Sequence, residues 1–151
     1  MRSKVRNITL AAIVVLWASA ADAGQVAKGD NYVVNANNSA CRVGAECTVA
    51  LRLEAQGGFH VNKEYPYKFK ANDASGVEFL GKDPANKTMF SKAAGDFSLD
   101  ASNEKVGTMT VRFKPSARGS VSISGVFKLS VCSAQNCQLG QASVTVPVTV
   151  N

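Results

Sequence analysis

The sequence is short of the groups from which most enzymes and metalloproteins are built. It has one histidine, His60, in 151 residues, with no second His, Asp or Cys near it at ligand spacing, so a zinc or copper site lacks a donor set. It has no serine nucleophile elbow, no phosphate-binding glycine loop, no carboxylate pair spaced for hydrolysis on a strand, and no C-x-x-C motif. No metal and no cofactor is therefore expected. The lysines and arginines are scattered, without a basic run or a helix to concentrate them, which argues for solvated surface and against a nucleic-acid partner.

What is present begins with a leader. Arg2, Lys4 and Arg6 precede an apolar stretch over residues 8–20, and small residues follow in "ASA" and "ADA". This is the three-part pattern of a secretory signal, too short and one-sided for a stable membrane span. Cleavage near Ala23 would leave residues 24–151 as a single domain and reduce the formal charge from +6 to +4, because three basic residues and Asp22 depart. No later segment is apolar enough to span a bilayer. The expected location is periplasmic or secreted, where disulfides persist. The sequons at residues 37–39 and 86–88 would matter only in a eukaryotic secretory pathway.

Downstream, the dominant period is two. Residues 31–35, 47–54, 67–71, 76–80, 105–115, 119–131 and 142–150 alternate or run in β-rich residues, separated by turn formers such as Gly57-Gly58, Asn72-Asp73, Asp83-Pro84 and Gly95-Asp96. Seven to eight short strands without an amphipathic helix predict an all-β, immunoglobulin-like antiparallel sandwich, with a closed barrel as the alternative. Pro147 inside the last run predicts an edge strand or a bulge, since proline cannot donate to the ladder.

Four cysteines, Cys41, Cys47, Cys132 and Cys137, allow three pairings. In an extended strand Cys132 and Cys137 would lie about 16 Å apart, against the roughly 5.5 Å between Cα atoms that a disulfide needs, so a pair requires a turn at "SAQN". Asn136 is a candidate for a left-handed position there. "RVGAE", with Gly44 at its centre, offers the same closure to Cys41 and Cys47, and local pairing of both couples is the preferred connectivity. Such bridges close loops of about six residues and stabilise by roughly 2 kcal/mol, against about 4.6 for a link across about ninety residues. Local bridges are thus modest staples, and a hairpin bridge exposes its sulfurs to attack. Spacing alone leaves a structural staple and a redox pair both open.

Two segments add a resemblance. "GGFHVNKEYPYKFK" at residues 57–70 and "FKLSVCSAQNCQLGQASVTVPV" at residues 127–148 resemble the N-terminal periplasmic domain of the thiol:disulfide interchange protein DsbD and the related DsbC-like disulfide-corrector domains. The likeness covers roughly residues 31–150 and implies an immunoglobulin-like fold. It implies that Cys132 and Cys137 are a redox-active pair passing electrons between a thioredoxin-fold or membrane thiol carrier and substrate proteins. Cys41 and Cys47, without a counterpart in that family, are then a structural disulfide. Phe90 and Phe97 are positional candidates for the aromatic cap that shields the cysteines in DsbD.

Phe59, His60, Tyr65 and Tyr67 are candidate partner contacts, since tyrosine is favoured at interfaces, although the two tyrosines would serve equally as a corner of the sandwich. His60 is alternatively a proton donor or a strand-end residue bonding a backbone carbonyl. Met89 and Met109 read as core. Two functions of different class follow: a protein thiol-disulfide oxidoreductase module, or a non-catalytic binding or envelope protein stapled by two disulfides.

Overall fold

The computed structural model describes residues 24–151, so the expected leader and its cleavage point lie outside the described residues. Alternation sets the long strands. In β3 (Cys47–Ala55) every second residue from Cys47 to Ala55 is buried, and in β9 (Val106–Pro115) Met109, Val111 and Phe113 turn inward to meet Leu51, Val49 and Cys47 across the register. β2 (Tyr32–Asn38) flanks β3, and β1 (Gly24–Lys28), with an irregularity between Gln25 and Ala27, forms the edge. Two short strands, β6 (Val77–Phe79) and β8 (Phe97–Leu99), lie end to end on the far side of β9. This first sheet has the order β1-β2-β3-β9-β6, with β8 also on β9.

The second sheet is built on a long hairpin. β10 (Gly119–Cys132) and β11 (Cys137–Val150) pair over 14 residues each, and β11 is an edge strand. On the other side of β10 lie β4 (His60–Val61) and β5 (Lys68–Ala71), the latter followed by β7 (Met89–Ser91). All pairings within the two sheets are antiparallel, and the core between them is filled by Leu51, Leu53, Met109 and Phe113 from one side and Phe69, Phe90, Phe127 and Leu129 from the other. Each such side chain contributes roughly 1.5–3 kcal/mol through burial.

The chain is an immunoglobulin-like antiparallel sandwich, as the periodicity predicts, and the closed-barrel alternative does not apply. Eleven strands replace the seven to eight expected. The additional ones are β1, β4, β7 and β8, none longer than five residues, too short to display a period. β11 also begins at Cys137 rather than at residue 142. No helix among the described residues is long and apolar enough to cross a membrane.

Candidate functional site

The β10–β11 turn closes on Ser133. Its amide donates to the Asn136 carbonyl at 2.7 Å, and its hydroxyl accepts from the amides of Gln135 and Asn136 at 3.2 Å each. No residue other than glycine has a positive φ among the described residues, so Asn136 does not take the left-handed conformation expected of it; the serine hydroxyl organises the turn instead. Strand pairing therefore continues to the last possible pair, Cys132 opposite Cys137, whose Cα atoms are 3.9 Å apart and whose sulfurs are bonded. The two sulfur-bearing residues differ in access. Cys132 is 6% exposed, whereas Cys137 is exposed.

β4 then brings a third group to this row. His60 pairs directly with Cys132, so His60, Cys132 and Cys137 sit side by side on β4, β10 and β11, on the outer face of the second sheet. The next pair, Val61 and Val131, is fully buried, which fixes the parity. No local sequence pattern links His60 to the cysteine loop, because a strand of two residues whose partner is about seventy positions away leaves no period to read.

The remaining candidates divide. Tyr67 is 0% exposed, and its single hydroxyl proton is shared between the carbonyls of Ser130 at 2.7 Å and Asn62 at 2.9 Å. Its ring stacks on Phe97 at 3.9 Å. Tyr67 therefore offers no surface to a partner and takes the corner role; burial holds its hydroxyl well above the ordinary tyrosine range, keeping it neutral. Tyr65 is half-buried with its ring edge-on to Tyr67, and Phe59 is half-buried against the core. Phe90 and Phe97 belong to the core, which removes both as an exposed cap over the cysteines. Met109 is fully buried, as expected, while Met89 is half-buried.

The first couple is bonded too. Cys41 and Cys47 are each 1% exposed and have Cα atoms 5.3 Å apart, around a loop in which Gly44 takes φ 73°, a conformation glycine adopts without penalty. This loop reaches across to the other sheet. Cys41 bridges Val150, the Asn151 amide donates to the Cys41 carbonyl at 2.9 Å, and the Val43 amide donates to the Asn151 carbonyl at 3.0 Å. Both couples are thus paired locally, as the loop geometry predicts.

No cluster of three or more His, Cys, Asp or Glu residues assembles among the described residues. A cleft of about 970 Å³ opens between β1 and the distal half of β11, lined by Gln25, Asn38, Ser39 and Thr145 among others, and none of its lining side chains is acidic or basic.

No family model matches the chain, and no curated protein matches it. Among solved structures the chain is similar to AggA, the major subunit of aggregative adherence fimbriae type I from Escherichia coli, at 10% identity and a TM-score of 0.36, over 81% of this chain and 97% of that one.

Proposed function

We propose that this chain is an exported immunoglobulin-like binding or envelope protein, released by cleavage near Ala23, in which both disulfides are structural clasps. The observation that carries this reading is placement: Cys132–Cys137 ties the first residue of edge strand β11 to β10, and the Cys41–Cys47 loop holds the last. Bridges of this kind persist in an oxidising compartment, which supports export. Reduction in a graded glutathione series, with mass spectrometry separating the two pairs, tests it. Clasps stay closed until the domain unfolds, with potentials below about −300 mV. Opening of Cys132–Cys137 in the folded protein at a higher potential overturns the assignment.

One observation favours a second reading, thiol-disulfide exchange of the DsbD-like kind. His60 stands beside the buried Cys132 while Cys137 is open to solvent. In that reading the thiolate of a thioredoxin-fold partner bonds to the Cys137 sulfur, and the Cys132–Cys137 bond breaks. Cys132 leaves as a thiolate beside His60. The partner's second thiol then displaces Cys137, so the partner ends as a disulfide and this pair as a dithiol. The glutathione series separates the two readings.

A further inference from the structure

The two outer faces of the sandwich handle charge differently. On the first sheet, cations meet carboxylates: Arg112 Nη2 lies 3.0 Å from Asp96 Oδ1, Arg52 pairs with Glu54, and Lys114 stands opposite Glu78 in register. On the second sheet no such partner exists, since β4, β5, β7, β10 and β11 contain neither Asp nor Glu. Three lysines nevertheless project from its outer face. Lys68 and Lys128 are directly opposite each other on β5 and β10, and Lys70 follows two residues along β5; all three are exposed.

None of the three forms a salt bridge among the described residues. The Lys70 ammonium donates to Asn86 Oδ1 at 3.0 Å and to Thr88 Oγ1, both neutral, so its charge is oriented without being cancelled. Like charges directly opposite on neighbouring strands destabilise a sheet. Connecting loops hold charges of both signs, Lys63, Lys87 and Lys92 with Glu64 and Asp83, so the uniform positive character belongs to the strands. The sequence shows no basic cluster because residues 68, 70 and 128 become neighbours only through the β5–β10 register.

The rest of the face is mainly hydroxyl and amide, interrupted by the half-buried Val126 and Met89 on either side of Lys70. Ser122, Ser124, Gln141, Ser143 and Thr145 share its outward parity on β10 and β11, and no Phe, Tyr or Trp does, because Phe69, Phe90 and Phe127 are buried on the opposite side. Single-stranded nucleic acid is held by stacking on aromatic platforms, which this face lacks. A membrane surface is held by a continuous apolar stripe, whereas here the exposed Leu139 is separated from the half-buried Val126 and Met89 by lysine, serine and glutamine. Hydroxyl-rich and cationic chemistry matches a chain of sugar rings bearing acidic groups.

We propose that the outer face of the second sheet binds an anionic polysaccharide, with its sulfate or carboxylate groups on Lys68, Lys128 and Lys70 and its hydroxyls along the serine, threonine and glutamine rows. Neither disulfide takes part, so the surface serves equally with either reading of the cysteines. Such binding is dominated by exposed charge pairs and weakens steeply with salt.

Heparin is a suitable probe, used with the mature chain carrying both bridges. The expected result is binding at low salt that falls at least tenfold by 0.5 M sodium chloride, with no binding to uncharged dextran. A Lys68→Gln, Lys70→Gln, Lys128→Gln variant should bind at least tenfold more weakly, while Lys114→Gln on the opposite face should bind as the parent does. Lys128→Glu gives a readout that unfolding cannot mimic: it replaces the repulsive pair with an attractive one, so heparin binding is lost while the melting temperature holds or rises. Failure of the parent to bind heparin, undiminished binding by the triple variant, or tighter binding to a single-stranded oligonucleotide or to phosphatidylglycerol vesicles than to heparin would each overturn the proposal.

Discussion

Tyr67 joins three parts of the fold through one side chain. Its ring lies against Phe97 of the first sheet, while its hydroxyl serves carbonyls on β10 and on the loop after β4. Replacing it by phenylalanine keeps the stacking and removes the hydroxyl, while the Ser130 and Asn62 carbonyls keep backbone donors, the amides of Asn62 at 3.1 Å and Tyr65 at 3.4 Å; the expected cost is about 1 kcal/mol, read by urea unfolding. The same residue gives a pH dependence of definite sign. Its folded pKa lies above the unfolded value, so its contribution is complete below about pH 10 and is lost as the pH rises beyond it, where only the unfolded chain releases the proton readily. The gap in stability between parent and Tyr67→Phe should therefore shrink between pH 9 and 11; a gap that stays constant would rule this out. Asp96 is the other buried polar anchor, its carboxylate accepting from the Ser91 amide at 3.0 Å and from Arg112 at 3.0 Å. Asp96→Ala should cost about 2 kcal/mol in the same assay, since it strips partners from both groups while Arg112 keeps some access to water. The sequence could not rank Tyr67 above Tyr65. Only the alternation running on through Phe69 and Ala71 marks residue 67 as inward-facing, and Asp96 looks like an ordinary turn residue until Arg112 is brought to it.

At the scale of the element, β11 is a long exposed edge, and its proline has a definite position in the ladder. The Ser133 amide bonds the Asn136 carbonyl, so every second pair counted from there exchanges backbone bonds and the pairs between face outward. By that count Pro147, opposite Ser122, directs its nitrogen to the free edge, and the absent N–H is one that β10 never needed. Proline at such a site denies a docking strand one of its acceptor bonds. Pro147→Thr should restore the donor and leave the fold unchanged by circular dichroism, while raising the apparent mass in light scattering at high protein concentration; an unchanged mass would count against a protective role. Pro147 alone left an edge position or a bulge, and the unbroken β10–β11 register decides for the edge. The start of β11 was not legible, because Gly140 and its polar neighbours look like loop. Gly140 is needed in the strand because a Cβ there would come 2.9 Å from the Leu129 side chain on the paired strand and 3.1 Å from the ring of Tyr32, the first residue of β2.

For the whole molecule, the question is how a two-sheet sandwich with open sides keeps a 14-residue edge strand in place. β11 has backbone partners along only one side for nearly all its length, and its ends are about 45 Å apart. Each end meets a bridge. At one, Cys137 is tied to β10 itself; at the other, the exposed loop closed by Cys41 and Cys47 exchanges backbone bonds with Asn151, and its two cysteines are buried with Val150. The local pairing could be inferred from loop lengths, but the shared strand could not, because it depends on where the C-terminal segment passes the β2–β3 connection. The two bridges should consequently be separable by their range. Removing the first with Cys41→Ala and Cys47→Ala should lower stability by about 2 kcal/mol and speed amide exchange over residues 147–151, leaving the Ser133 turn as protected as before. Removing the second with Cys132→Ala and Cys137→Ala should loosen residues 131–139 and spare the far end. If either pair of substitutions instead raised exchange uniformly along β11, the strand would open as one unit, and the bridges would be acting only on the unfolded chain.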